Sequence, residues 1–235
     1  MIDDRGPWIQ TASGRQFFLL DPRAEDVEPF DVAHALSLTC RFAGHTREHY
    51  SVAQHSVLVG QLVPPELEVH ALLHDAAEAY LGDITRPLKQ ALALLHPGAE
   101  TSPYDAITER VDAAIAERFG MRALDAHEHD AIKRADIVAL ATERRDVVTR
   151  PLGNHAWSVL EGVSPAPTVI LPLHPGAARE RWLRRFMDLR RGVAPARAAA
   201  TPTTEPRTCS LCGNAWEAEI GTAAYTCPVC LRSLP

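Results

Sequence analysis

No apolar run in this chain exceeds a few residues, far short of the roughly twenty that a membrane-spanning helix requires. The N-terminus, Met1-Ile2-Asp3-Asp4-Arg5, is polar and acidic and lacks a signal-peptide core, so no membrane contact and a cytoplasmic location are expected. Positive charge is also scarce: 24 Lys and Arg face 30 Asp and Glu, a net charge of -6, which argues against a protein that coats nucleic acid. The arginines Arg179, Arg181, Arg184, Arg185, Arg190 and Arg191 are the local exception, read as a solvated helix face with a basic groove as the alternative. A disulfide framework is missing too. Of five cysteines, four fall in two Cys-x2-Cys pairs near the C-terminus and Cys40 stands alone as a small buried hydrophobe, a pattern of metal binding in a reducing compartment.

What the chain does contain is 46% hydrophobic residues over 235 positions, enough for one good-sized core and a small appendage. Trp8–Thr11 and Gln16–Leu20 read as two short strands joined at Ser13-Gly14. After them the pattern is helical. The expected helices are 31–42; one opened by Ser51 and Gln54 at capping-box spacing and stopped by Pro64-Pro65; 65–81, closed by Gly82; a short one after Pro87; one capped by Ser102 and ending before Gly120; 127–148; and 175–191. Residues 149–173, rich in Pro and Gly, read as a loop wrapping back over the bundle, anchored by Trp157. Residues 193–207 read as a flexible linker between a domain at 1–192 and a small one at 208–235.

Within this helical frame, His74-Asp75-Ala76-Ala77-Glu78 places an imidazole and two carboxylates in a run of leucine and alanine. Buried charge is expensive unless it is paired or binds a metal. The stripes Val52, His55, Val59, Leu62 and Leu67, Ala71, His74, Glu78, Leu81 turn both histidines inward, and Ile132, Asp136, Ala139, Glu143 adds a carboxylate from a third helix. Two nitrogens and two carboxylates then converge as a metal cage. Mixed imidazole and carboxylate ligands suit Mn, Fe, Co, Ni or Zn rather than an all-oxygen Mg or Ca site. His45, His49, His127 and His129 are weaker candidates for a second ion, and His70, one turn before His74, for a supporting role.

The pattern Ser51-Val52-Ala53-Gln54-His55-Ser56, then His74-Asp75-Ala76-Ala77-Glu78-x4-Asp83-x3-Pro87-x-Lys89, then Lys133-x-Ala135-Asp136, resembles the HD-domain phosphohydrolases. More narrowly it is similar to the branch of bacterial 5'-deoxynucleotidase and phage dATP triphosphohydrolases, over roughly residues 8 to 190. The resemblance implies a mainly α HD-type helical bundle with a short N-terminal β-hairpin, in which His55, His74, Asp75 and Asp136 hold a divalent transition metal. It implies that Glu78 and Asp83 orient and deprotonate the attacking water, that Arg41 holds phosphate and that Phe42 lies against sugar or base. The loop Asp83, Ile84, Thr85, Arg86 and the nearby Lys89 would touch substrate, although Thr85-Arg86 departs from the nucleotidase pattern. Arg86, Lys89 and Arg47 add positive charge suited to a triphosphate, with monophosphates as the alternative. The expected partners are a nucleotide substrate and further copies of the chain. A catalytically degenerate scaffold that recruits a nucleic acid or partner protein is the competing reading.

Cys209-x2-Cys212 and Cys227-x2-Cys230, fourteen residues apart, have the spacing of a four-cysteine zinc ribbon. So short a segment cannot bury its own core, so a structural zinc would have to stabilise it, with Trp216, Ile220 and Tyr225 covering the small apolar face.

Overall fold

The first two strands, β1 (Trp8–Gln10) and β2 (Gln16–Phe18), are each shorter than the apolar pattern suggested and pair antiparallel with Trp8 opposite Phe18. The hairpin is held from outside: Asp31 accepts hydrogen bonds from the Ser13 N–H and the Ser13 hydroxyl, both at 2.7 Å, and the buried Phe17 ring stacks on Tyr80 at 3.6 Å. The computed structural model describes residues 4–95, 101–153 and 155–192, and the backbone of 204–208 and 215–219.

The rest is a helical bundle: α1 (Pro29–Leu38), α2 (Val52–Gln61), α3 (Glu68–Leu73), α4 (Glu78–Leu81), α5 (Arg86–Leu95), α6 (Pro103–Arg118), α7 (Ala126–Asp146) and α8 (Pro175–Arg190). The starts follow their caps. Ser51 accepts from Gln54 N–H, Ser102 from Asp105 N–H, and Asp125 and Glu128 form a reciprocal capping box. His174 caps α8 by accepting the Gly176 N–H, a role its sequence context had not suggested.

Three elements differ from expectation in ways that shape the site. First, α1 stops at Leu38 instead of Phe42, because Cys40 bridges to Ser51, Arg41 N–H donates to Tyr50 and Val52 N–H donates to Thr39. The turn that follows puts Phe42 and Ala43 at φ of +57° and +50°, a left-handed conformation that costs a non-glycine residue about 1–3 kcal/mol. Second, α2 has no exposed face: every residue from Val52 to Gly60 is buried. It is the central helix, packed by α1, α3, α7 and α8, and it contributes Val52, Ala53 and Val57 to one apolar cluster and Leu58 and Val59 to another. Third, the helix expected over 65–81 is interrupted. Between α3 and α4 the bonds Ala76 N–H to Leu73, Glu78 N–H to Asp75 and Ala79 N–H to Ala76 are all of the tighter i to i+3 kind.

Most arginines of α8 are engaged rather than forming a groove: Arg185 makes a bidentate pair with the buried Glu68, Arg184 pairs with Glu180, and Arg190 donates to the Phe119 carbonyl. Strands β3 (Thr204–Thr208) and β4 (Ala215–Glu219) pair antiparallel, so residues 204–207, expected to be linker, belong to a strand. Cys209, Cys212, Cys227 and Cys230 lie outside the described residues. Among the described residues no helix is long and apolar enough to cross a membrane.

Candidate metal centre

Four donor atoms from three elements face one another. His55 Nε2 of α2 lies 3.3 Å from His74 Nε2, 3.4 Å from Asp75 Oδ2 and 3.2 Å from Asp136 Oδ1, and His74 Nε2 lies 3.2 Å from Asp75 Oδ2. Two ligands that each stand about 2.1 Å from a shared ion are roughly 3.0–3.4 Å apart, so these separations are those of a coordination sphere. Among the described residues, His55, His74 and Asp136 form the one cluster of histidine, cysteine or acid whose donor atoms all lie within 4.8 Å of one another. Asp75, in the tight turn after α3, is not part of that cluster, although its Oδ2 lies 3.4 Å from His55 Nε2 and 3.2 Å from His74 Nε2.

The hydrogen bonds fix the tautomers. The Nδ1–H of His55 donates to Glu143 Oε1 at 2.6 Å, and the Nδ1–H of His74 donates to the Ala71 carbonyl at 2.7 Å. In each neutral ring the Nε2 lone pair is therefore the one turned into the cage, and two facing lone pairs repel unless a cation lies between them. The charge balance points the same way. Asp75, Asp136 and Glu143 face a single guanidinium, Arg41, whose nitrogens stand 3.5 Å from Asp75 and 3.2 Å from Glu143.

Protons fill this role when no ion is bound. Burial and then Arg41 oppose charging of His55, but Glu143, Asp136 and Asp75 outweigh them and hold its pKa well above the ordinary imidazole value. Burial likewise opposes His74, and Asp75 raises it. Burial disfavours the Asp75 carboxylate, yet His74 and His55 bring its pKa well below the usual range; Asp136 is lowered for the same reasons, and Glu143 by Arg41 and His55.

Beyond the cage lie further acids. Burial, then Asp75 and Asp83, push Glu78 up to about 9, and its Oε2 is buried without a hydrogen-bond partner. Asp83 is raised by burial, partly offset by Arg41. Asp112 of α6 reaches about 6 through burial and the charge of Asp75; as one of four acids on that helix, off its Ile107, Val111, Ile115 stripe, it gave no sequence signal for this placement.

The expected substrate residues divide into two groups. Arg41, Glu78 and Asp83 gather at the cage, and the Phe42 ring lies beside Arg41, 5.4 Å from the guanidinium. Ile84 and Thr85 form the half-buried link to α5, whereas Arg86 and Lys89 are exposed on α5, with Lys89 Nζ 5.2 Å over the Tyr104 ring. Arg47 is directed elsewhere, donating to the carbonyls of Arg145 and Val148. Glu143, noted in sequence only as part of a stripe, proves central as the partner of both His55 and Arg41. The weaker histidines are also placed: His70 donates to the Arg122 carbonyl, His45, His127 and His129 are exposed, and His49 links the Cys40 thiol at 3.0 Å to the Ser37 carbonyl. Cys40 is thus half-buried and hydrogen-bonded rather than a plain core residue.

Fold and site together define a helical bundle around a cluster of His55, His74 and Asp136, with Asp75 beside the two imidazoles. The chain is 41% identical over 184 residues to the uncharacterized protein YfdR of Escherichia coli (strain K12), covering 77% of this chain and 95% of that protein, and it belongs to the same family. It is also 37% identical over 150 residues to the uncharacterized protein RCAP_rcc00048 of Rhodobacter capsulatus, covering 60% and 72% of the two chains. No family model matches the chain.

Proposed function

We propose that this protein is an HD-type, metal-dependent phosphohydrolase acting on nucleotides, with deoxynucleoside tri- or monophosphates as its substrates. The observation that carries the reading is the facing pair of Nε2 lone pairs flanked by Asp75 and Asp136, a donor set that fits a divalent transition ion such as Mn, Co, Ni, Fe or Zn. His55, His74, Asp75 and Asp136 would hold the ion, which when bound polarises a phosphoryl oxygen and lowers the pKa of water.

The remaining steps belong to the chain itself. Arg41 lies at the edge of the cage, where its guanidinium, 3.5 Å from Asp75 and 3.2 Å from Glu143, would hold an incoming phosphate oxygen. Glu78 and Asp83 share the other side of the cleft. Glu78, whose carboxyl is pushed up to about 9 by burial and by Asp75 and Asp83, would serve as the base for the proton of attacking water once ionised. Asp83, also raised, orients that water and can take up the proton next. Phe42, held beside Arg41 by its left-handed backbone, offers a ring to the sugar or base.

Structural zinc in a ribbon of Cys209, Cys212, Cys227 and Cys230 completes the proposal; the first cysteine pair falls between β3 and β4 in the chain, as a ribbon arrangement requires.

The test is a panel of deoxynucleoside mono-, di- and triphosphates, each incubated with the full chain under Mn, Co, Ni or Mg, with products separated. Nucleoside plus tripolyphosphate marks a triphosphohydrolase, and orthophosphate from monophosphates alone marks a 5'-nucleotidase. No hydrolysis of any nucleotide with any metal overturns the reading.

A further inference from the structure

Trp157 is half-buried and its ring faces two functional groups. It lies 6.1 Å from the Phe42 ring, which adjoins Arg41 of the metal centre, and 5.2 Å from the Arg144 guanidinium. Trp157 and Arg144 both line a cleft of about 470 Å³ that also includes Arg145, Arg150, Leu160 and Val163 and, among the described residues, no acidic side chain. Small-molecule sites are roughly 300–1,000 Å³, so the cleft is large enough for one ligand of nucleotide size.

The three arginines are not equivalent. Arg145 is committed to the fold, paired with Asp146 and donating to the Ala166 and Thr168 carbonyls. Arg144 is fixed by the His155 carbonyl at 3.0 Å, which leaves the guanidinium over the indole. Arg150 is exposed and has no hydrogen bond or ion pair among the described residues. The cleft therefore combines a flat, cation-capped aromatic surface, an apolar wall from Leu160 and Val163, and one uncommitted guanidinium. A planar base suits the first two and a phosphate the third.

This cleft is separate from the cage. On α7 the cage side chains are Asp136 and Glu143, whereas Ala141, Arg144 and Arg145 line the cleft from another flank of the same helix. We propose that it is a second nucleotide-binding site, in which the base packs against the Trp157–Arg144 pair and the phosphates are held by Arg150. Its neighbour Phe42 gives such a ligand a direct contact route to the substrate side of the metal centre.

The experiment uses the full-length chain carrying His74→Ala, so that binding is read without turnover and does not depend on the phosphohydrolase reading. Titration with dATP in a calorimeter should give saturable binding, weakened about tenfold or more by Arg150→Glu and, separately, by Trp157→Ala. Tripolyphosphate alone and deoxyadenosine alone should each bind about tenfold more weakly than dATP. Arg150 is exposed, so its variant keeps the fold and decides the matter even if Trp157→Ala does not. Unchanged affinity in Arg150→Glu, no saturable binding at millimolar dATP, or tripolyphosphate binding as tightly as dATP would each overturn the proposal.

Discussion

Glu143 Oε1 accepts the Nδ1 proton of His55 at 2.6 Å, and both side chains are fully buried. The pair sets the tautomer that turns His55 Nε2 into the cage, while the second Glu143 oxygen holds Arg41. Glu143→Gln keeps the shape but removes the charge that makes the imidazole a good donor, so metal affinity should fall by about 10- to 100-fold with the fold retained. Glu143→Ala should go further. It leaves Arg41 and His55 without their shared partner in the interior, at a cost of about 3–5 kcal/mol in urea unfolding. Metal titration of the Gln variant and denaturation of the Ala variant check the two halves separately.

Much of the helical frame was legible because period and caps agreed: Ser51 and Ser102 both begin helices, and on the Asp136 stripe Ile132, Ala139 and Glu143 are buried while Asp136 itself is half-buried. The turn after Leu38 was not legible. Nothing local opposes helix at Cys40-Arg41-Phe42; the stop comes from pairing with Tyr50 and Ser51, a tertiary contact that overrides propensity. The break at His74–Ala77 was hidden for the same kind of reason, since alanine-rich sequence favours an unbroken helix and the tighter turn is visible only in the hydrogen bonds. Glu143 was on the right stripe, but a stripe gives direction and not partner. Asp112 and the Trp157 cleft depend on which distant segments meet, and spacing along the chain carries no trace of that.

His74→Ala and Asp75→Ala should each abolish hydrolysis while leaving the bundle folded, because both side chains face the cage rather than the apolar clusters. Glu78→Ala should retain the metal and lose most of the rate, the difference expected between a ligand and a base outside the ion's reach. Metal content, circular dichroism and single-turnover rates measured together separate these outcomes. Turnover in either ligand variant at normal metal loading would remove the site assignment.

Metal and protons compete for the same lone pairs. The pKa values of His55 and His74 are both raised in the ion-free protein, so the rings hold protons over a wider range than free histidine and must release them for an ion to bind. Affinity should therefore fall as the medium is acidified through and below neutrality, and each binding event should release protons. Calorimetric titration with Mn in two buffers of different ionisation enthalpy reads the proton count directly. A heat of binding that is the same in both buffers at pH 7 would contradict this competition.

Glu78 gives a stability effect of opposite direction to that of an ordinary ion-paired carboxylate. Its folded pKa, about 9, lies above the unfolded value, so the folded state binds an extra proton. The stability this contributes is complete below about pH 4.5 and is lost as the pH rises toward 9. Glu78→Gln is neutral at every pH and escapes that loss. In the presence of chelator, the variant should unfold at higher urea than the parent chain at pH 8, by about 2 kcal/mol once the partial solvent access of the cleft is allowed for, and the gap should close at pH 5. The same Gln variant should lack the base and turn over slowly with metal present. Greater stability combined with lower activity is what a buried acid kept for chemistry rather than for folding requires. Urea melts at the two pH values and a rate measurement on one preparation decide it, and equal midpoints at pH 8 would show that Glu78 is already ionised in the ion-free fold.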